Sequence, residues 1–149
     1  MKGVVVSGNG PTLVPVDSEG TPLANAVLWM DERAGSLTGE IQNLVGEYIP
    51  PNFFLSRVYW FKKNRPEVYK NSSFFISCPE YVAYKLTGNR FTTLPHSGFT
   101  SFYWSQKKLA ALELDPLKFP PFLPISEVYG NYKPSNILSD LPNGTVLMI

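Results

Sequence analysis

Cysteine, histidine and net charge are all scarce in this sequence. Cys78 is the single cysteine among 149 residues, so no disulfide can form within the chain, and a reducing, cytoplasmic setting is favoured. One histidine and one cysteine cannot supply the ligands of a zinc site. The net charge of +1 gives no electrostatic attraction to nucleic acid or to an anionic membrane. These scarcities predict a chain with no structural metal and no nucleic-acid partner.

A long hydrophobic run and a nucleotide-binding motif are also missing. No apolar stretch approaches the ~20 residues that a membrane span needs. Residues 1–20 lack the basic start and apolar stretch of a signal peptide. Neither G-x-x-x-x-G-K-[ST] nor G-x-G-x-x-G occurs. We therefore expect no membrane partner, and no phosphate cradle within this chain itself.

What the sequence does have is the apolar content of a folded domain. Hydrophobic residues make up 44% and aromatic residues 14% of the chain, which argues against disorder and suffices for one core. Proline is abundant, and six of the 14 prolines fall between Pro116 and Pro142. Because proline has a fixed φ and no amide hydrogen, this stretch is expected to be irregular rather than helical or a central strand.

Three apolar runs near the start of the chain predict β-strands. Val4–Val6 is typical of a strand buried on both faces of an α/β sheet, and a small turn at residues 7–10 follows it. Thr12–Val16 and Ala26–Met30 are expected to pair across a surface loop rich in turn residues. Because ligands of open α/β sheets bind beyond the carboxyl ends of strands, the turn at residues 7–10 is a candidate site.

Helical periodicity and capping residues predict the main helices. The first carries an apolar stripe between Leu37 and Tyr48, with Ser36 as its N-cap. A later helix begins with a capping box, in which the side chains of Ser77 and Glu80 each accept from the other's amide. The remaining predicted boundaries are a start at Ser56, a stop before Pro66, a left-handed C-cap at Gly88 and a start at Ser105.

Both ends of the sequence are apolar strand candidates, Val4–Val6 and the closing run NGTVLMI. Domain termini are usually polar and lie at the surface. One interpretation is that further chain adjoins both strands, as in a slice of a larger domain. The other is a complete small domain held in place by two terminal strands. The pattern alone leaves both interpretations open.

Five stretches, taken in order along the chain, resemble the amino-terminal domain of FGGY-family carbohydrate kinases. The first, VVVSGNGPTLVPVDSEGTPLANAVLWMDERA, is similar to the family's strand, substrate turn, hairpin and W-x-D-x-R segment. The others are RVYWFKKNRPEVYKN (similar to K-L-x-W-L-x-x-x-x-P-E), CPEYVAYKLTGNRFT (similar to D-Y-L-x-x-x-L-T-G-x-x-x-T), LELDPLKFPPFLPISEVYGNYKP and LPNGTVLMI (similar to L-P-x-G-T-P-V). Arg57 departs from the lysine of the family signature, and Phe54 from its proline, serine or threonine.

The resemblance implies an α/β fold that is part of an actin-like, RNase H-like ATPase domain, with a mixed sheet and flanking helices. Family members use ATP and Mg²⁺ to phosphorylate a sugar or polyol hydroxyl in a cleft between two such domains. Their phosphate turn precedes the strand matched by Val4–Val6, and their catalytic aspartate follows the position of Ile149. The chain would therefore hold part of the sugar-binding side, with no catalytic residue and no bound ATP or Mg²⁺ of its own, and would be inactive alone.

Asn9, Gly10 and Pro11 occupy the turn that resembles the family's sugar-contacting turn. The Asn9 side chain can donate and accept hydrogen bonds, and Gly10 lets a substrate approach the backbone. Without the resemblance, a glycine-rich turn that simply ends a strand would be the better interpretation. Glycerol kinases carry Arg-Glu at the positions of Gly10 and Pro11, so the resemblance implies a ketose or related sugar rather than a small polyol.

Trp29, Asp31 and Arg33 alternate along the chain, which would place them on one face of an extended segment. The Trp29 indole could cover the apolar face of a sugar, and the Asp31 carboxylate could bind its hydroxyls. Arg33 could orient Asp31 by a charged hydrogen bond. The alternative is a core tryptophan beside a surface ion pair of little energetic weight, and for Arg33 this alternative is favoured.

A second class of function stays open beside the kinase interpretation. The chain could be a small, non-enzymatic α/β module that binds a ligand or a partner. Its terminal strands would then pair in a homo-oligomer, because unpaired apolar edges promote association.

Overall fold

A computed structural model describes residues 3–8, 10–134 and 138–149 of the chain, which form a mixed α/β structure. The strands in these residues are β1 (Gly3–Val5), β2 (Val14–Val16), β3 (Phe74–Ile76), β4 (Thr92–Leu94), β5 (Phe122–Pro124), β6 (Gly130–Asn131) and β7 (Val146–Met148). The α-helices are α1 (Thr38–Val45), α2 (Phe54–Asn64), α3 (Pro66–Asn71), α4 (Cys78–Thr87) and α5 (Gln106–Ala111). None of these helices combines the length and the apolar character needed to cross a membrane.

The strands pair in three small sheets of mixed direction. In the largest, β1 lies parallel to β7, with Val4 opposite Leu147, and β6 lies antiparallel to β7. β2 pairs antiparallel with β3, and β4 pairs parallel with β5. Among the described strands β1 has one neighbour, so it is an edge strand of its sheet, and Val5 is 72% exposed, so the prediction of a strand buried on both faces is wrong. Residues 6–8 continue from the carboxyl end of β1 toward the predicted turn.

Helix α2 contributes most to the largest core cluster. Its sequence, FLSRVYWFKKN, is apolar around most of its circumference before the final turn, which is typical of a buried helix. Phe54, Leu55 and Val58 are buried in this cluster together with residues of α1, β3 and α5. The Phe54 ring lies 5.1 Å from the Trp104 ring, measured between centroids. The start of α2 is therefore held firmly by aromatic packing.

The helix boundaries that depend on adjacent residues are confirmed. The capping box forms at the start of α4, where the Ser77 amide donates to Glu80 Oε2 at 3.1 Å. Gly88 ends α4 in the left-handed region with φ 77°. The Ser105 hydroxyl accepts from the Lys108 amide at the start of α5. These contacts span three residues or fewer, which is why the sequence alone can specify them.

Two of the predicted helix starts are wrong. Ser36 does not cap α1, because it lies in a 3-10 turn (Gly35–Leu37) that precedes the helix. Gly46, with φ 84°, ends α1 and leaves Tyr48 outside it. Ser56 lies inside α2, which begins two residues earlier at Phe54. Aromatic packing of Phe54 in the core, rather than a capping side chain, sets that start.

The strand predicted over Ala26–Met30 is also wrong. Val27 alone makes a strand-like contact, an isolated antiparallel bridge to Leu13. The Asp31 amide donates to the Leu28 carbonyl at 3.0 Å, which closes a turn where the strand was expected to continue. Strand β2 instead takes its partner from β3, far along the chain.

The proline-rich stretch between Pro116 and Pro142 is largely irregular in its described part, as predicted. It nevertheless supplies β5 and β6, which extend two of the sheets at their edges. Edge positions tolerate the missing amide of a proline such as Pro124, because one side of an edge strand needs no partner.

Candidate functional site

A cavity of about 630 Å³ opens where the carboxyl end of β1 meets the starts of α2 and α4. The chain that follows β1 forms one wall through Val6, Ser7 and Gly8. Other parts of the lining come from Phe53 and Phe54 at the start of α2, from Glu80 of α4 and from Thr93 of β4, and Tyr103 also lines the cavity. The cavity thus lies beyond a strand's carboxyl end, the position at which α/β sheets bind ligands.

Two of the predicted sugar-contacting residues, Gly10 and Pro11, line this cavity. Asn9, the third, lies outside the described residues. A Cβ atom at Gly8 would lie 3.0 Å from the Cβ of Pro79, so glycine is what allows this turn to pack against the first turn of α4. A Cβ at Gly10 would meet no atom within 4 Å, so Gly10 leaves open space in the cavity wall.

Arg57, on α2, holds the turn around Gly10 and Pro11 in position. The side chain is fully buried, and its guanidinium donates to the carbonyls of Pro11 at 2.8 Å, Leu28 at 2.6 Å and Asp31 at 3.3 Å. Burial lowers the pKa of Arg57, and the negative charge of Asp31 opposes that shift. A single side chain of α2 therefore joins the cavity turn to the segment around Trp29.

Trp29, Asp31 and Arg33 lie outside the described lining of the cavity. The extended face predicted for them is wrong, because Trp29 and Met30 sit in a turn. Asp31 instead accepts from Arg33, from its Nη2 at 2.6 Å and from its amide at 2.9 Å. That pairing lowers the pKa of Asp31, and the Arg33 guanidinium stacks 4.9 Å from the Trp60 ring centroid. Trp29 is 45% exposed, so the structure does not place it in the core.

Glu80 is the buried carboxyl group of the cavity wall. It is 2% exposed and accepts from the amides of Ser77 and Thr93 and from the Thr93 hydroxyl. Burial raises the pKa of Glu80, and these hydrogen bonds oppose the shift. The carboxyl group thereby joins the start of α4 to β4 on the polar side of the cavity.

Tyr103 adds a phenol to the same wall. Burial raises the pKa of its hydroxyl to about 12, so the group stays protonated at neutral pH. Its ring packs against Phe54 and Trp104 at centroid distances of 6.4 Å and 5.5 Å. A protonated phenol on a fixed ring can donate a hydrogen bond to a bound hydroxyl.

Sequence reasoning missed three features of this site. They are the burial of Arg57, the contact of Glu80 with Thr93, and the aromatic wall formed by Phe53, Phe54 and Tyr103. A signal for Arg57 was present, since an arginine within the apolar run FLSRVYWF must find buried acceptors. The sequence indicated only the capping role of Glu80, because its other partner, Thr93, lies 13 residues away in the chain. The aromatic wall offered no local signal, because it comes from separate stretches of the chain.

Comparison with known proteins gives a family match over most of the chain. The model of the FGGY family of carbohydrate kinases, N-terminal domain, matches residues 1–140. A xylulose kinase of Staphylococcus xylosus is 27% identical over 98% of this chain and 32% of its own length. A glycerol kinase of Thermococcus kodakarensis is 24% identical over 92% of this chain and 31% of its own length. The chain therefore spans about a third of the length of these relatives.

Solved structures agree with the family match at the level of the fold. A xylulose kinase from Rhodospirillum rubrum superposes with a TM-score of 0.78 at 20% identity, covering 99% of this chain and 34% of that one. A gluconate kinase from Lactobacillus acidophilus gives a TM-score of 0.74 at 19% identity, covering 92% and 31%. The predicted fold class, an actin-like α/β fold with a mixed sheet and flanking helices, is confirmed.

Proposed function

Because the chain belongs to the FGGY family of carbohydrate kinases, we propose that its cavity is the sugar-binding side of a site at which ATP phosphorylates a sugar hydroxyl. The observation that carries this proposal is the position of Gly10 and Pro11. The turn that resembles the family's sugar-contacting turn lines the cavity at the carboxyl end of β1. The acceptor class that fits best is a ketose, since Gly10 and Pro11 replace the Arg-Glu pair of glycerol kinases.

Four side chains in or next to the cavity have roles on the sugar side of such a site. Arg57 holds the turn in place by binding the Pro11 carbonyl, so the peptide groups of the turn meet the sugar in a fixed arrangement. Tyr103 can donate its phenolic proton to a sugar oxygen, and Phe54 can cover the C–H face of the sugar. Glu80 holds the cavity wall together and is engaged with Ser77 and Thr93.

The described residues do not fit a site for Mg²⁺. They contain no cluster of three acidic, histidine or cysteine side chains that could hold a metal ion, and Glu80 in the cavity is already hydrogen-bonded. No step through ATP or Mg²⁺ is therefore assigned to these residues. We propose that the chain corresponds to part of the first domain of a kinase about three times its length, as in the relatives it matches.

Ketose binding can be tested by placing a larger side chain at Gly10, in the turn that lines the cavity. We expect D-xylulose to shift the amide signals of Gly10, Phe54 and Tyr103 in a ¹H–¹⁵N NMR titration. The variant Gly10→Leu should fold but lose these shifts, because its side chain enters open cavity space. The matched control is Gly39→Leu, since a Cβ at Gly39 also meets nothing within 4 Å but lies on α1, outside the described cavity lining. Equal shifts in both variants would contradict the proposal.

Catalysis by the chain alone is a separate prediction. We expect no release of ADP from ATP by the 149-residue protein with any of a panel of pentuloses and polyols. The reason is that the described cavity offers no free carboxylate to remove a hydroxyl proton. A coupled ADP assay measures this directly, and turnover on any member of the panel would refute the prediction.

A further inference from the structure

A second concave site lies at the other end of the parallel strands β4 and β5 from the cavity beyond β1. Pro95 and Ile125, just after the two strands, line that cavity. Phe91 and Pro121, just before the two strands, line a separate groove of about 320 Å³, which also contains Arg90. The described linings of the cavity and of this Arg90 groove share no residue, so the groove is a distinct place for a ligand.

Arg90 is an exposed cation held in a fixed place without a counter-ion. Its guanidinium carbon lies 5.0 Å from the centroid of the Phe74 ring, which is 2% exposed and packs edge-on against Tyr84. Such a contact occupies the flat face of a guanidinium and leaves its N–H edge available. Within residues 3–8, 10–134 and 138–149, Arg90 forms no ion pair and its side chain donates no hydrogen bond.

The rest of the Arg90 groove is largely hydrocarbon. Leu117 lies in a 3-10 turn (Pro116–Lys118) and is 86% exposed, the largest value for a big hydrophobic side chain in the described part of the chain. Phe91 and Phe119 add aromatic surface to the same lining. Exposed hydrocarbon of this kind is stabilised when a ligand covers it and releases the water around it.

Charge and size define the ligand that such a groove fits. Arg90 is the single charged side chain in the described lining, so it balances one negative charge rather than the nearly two of a phosphate monoester. The guanidinium edge also matches the two oxygens of a carboxylate. A cavity of about 150 Å³ holds benzene. A groove of about 320 Å³ therefore has room for one ring and a short chain that bears the carboxylate.

We propose that the Arg90 groove binds a small monocarboxylate with an aromatic or branched apolar body. The carboxylate accepts hydrogen bonds from Arg90, and the apolar body covers Leu117 and Phe91. This ligand is additional to the sugar of the proposed kinase site. Because the two sites have no described lining residue in common, the groove can hold its ligand whether or not the cavity beyond β1 binds a sugar.

Two probes that differ only in charge test the proposal on the 149-residue chain. They are 3-phenylpropanoate and its neutral amide, each titrated at neutral pH and low salt while amide NMR signals are followed. The carboxylate should shift the signals of Asn89, Arg90 and Leu117, leave that of Gly10 unchanged, and bind roughly tenfold more tightly than the amide. Equal binding of the two probes, shifts confined to the cavity beyond β1, or no shifts at all would overturn the proposal.

Two smaller anions test the contribution of the apolar body. Propanoate keeps the carboxylate but has no ring, and inorganic phosphate carries more charge with no hydrocarbon. Both should bind more weakly than 3-phenylpropanoate, by about fivefold or more. Binding of either anion as tight as that of 3-phenylpropanoate would overturn the assignment of an apolar carboxylate.

Variants of exposed residues assign the charge preference to Arg90. Arg90→Met keeps a hydrocarbon stem beside Phe74 but removes the charge, and it should reduce the preference for the carboxylate over the amide to about twofold or less. Arg65→Met is the matched control at an exposed arginine outside the described lining, and it should retain the full preference. A full preference in Arg90→Met would overturn the proposal.

A second pair of variants places the apolar body. Leu117→Ser should weaken the binding of both probes by about threefold or more and leave the ratio between them unchanged. Leu44→Ser, at an exposed leucine of α1 outside the described lining, should leave both affinities at the wild-type values. Wild-type affinity in Leu117→Ser would show that the ring does not lie against this side chain and would overturn the arrangement proposed.

Discussion

Replacing Arg57 by methionine should lower the free energy of unfolding by about 3 kcal/mol or more. The variant keeps most of the hydrocarbon volume but removes every donor to the carbonyls of Pro11, Leu28 and Asp31. Because the Arg57 side chain is fully buried, water cannot readily replace its guanidinium as a hydrogen-bond donor, and the three carbonyls are left unpaired. Chemical denaturation at neutral pH, followed by tryptophan fluorescence and far-UV circular dichroism, gives the change.

Two further variants show that the effect comes from the buried hydrogen bonds. Arg57→Lys keeps the charge but lacks the planar guanidinium that reaches several carbonyls at once. Its free energy of unfolding should fall by about 1–2 kcal/mol, less than that of the methionine variant. Arg65→Met changes an exposed arginine at the end of α2 and should stay within about 0.5 kcal/mol of the wild type. A methionine variant at position 57 as stable as the one at position 65 would show that the three contacts contribute little.

Local chemistry explains which parts of the fold the sequence could predict. The capping box of Ser77 and Glu80, the left-handed Gly88 and the cap at Ser105 all involve residues close in the chain. Such contacts need only neighbouring residues, so their patterns are visible in the sequence, whereas core packing of Phe54 overrode the predicted start at Ser56. The identity of the turn at Gly10 as part of a site came from resemblance to a family, because its own residues equally suit an ordinary turn.

Turns closed by nearby acceptors and one set of long-range contacts explain what the sequence could not predict. The segment Ala26–Met30 has strand-forming residues, but the amides of Asp31 and Arg33 find nearer acceptors and close turns there. The same turns remove the common face expected for Trp29, Asp31 and Arg33. Their link to the cavity runs instead through Arg57, whose acceptors lie 46, 29 and 26 residues away. No spacing rule reports a contact of that kind.

Replacing Glu80 by alanine is the second change with a large expected effect, a loss of about 3 kcal/mol in the free energy of unfolding. The substitution leaves the amides of Ser77 and Thr93 and the Thr93 hydroxyl without their acceptor, and it opens a void in the wall between α4 and β4. Chemical denaturation measures the loss. Glu127→Ala, at an exposed glutamate, is the matched control and should change stability by less than about 0.5 kcal/mol.

The glutamine variant separates the charge of Glu80 from its size. Burial raises the pKa of Glu80 above its ordinary value of 4.5, so the folded chain retains a proton that the unfolded chain has already lost. The stabilisation from this proton is complete below pH 4.5 and is lost as the pH rises through the folded pKa. Glu80→Gln cannot titrate, so the stability of the wild type relative to this variant should decline as the pH rises above 4.5. A rise instead would mean that the three hydrogen bonds from Ser77 and Thr93 favour the carboxylate more than burial opposes it, and that the group is charged in the folded cavity wall.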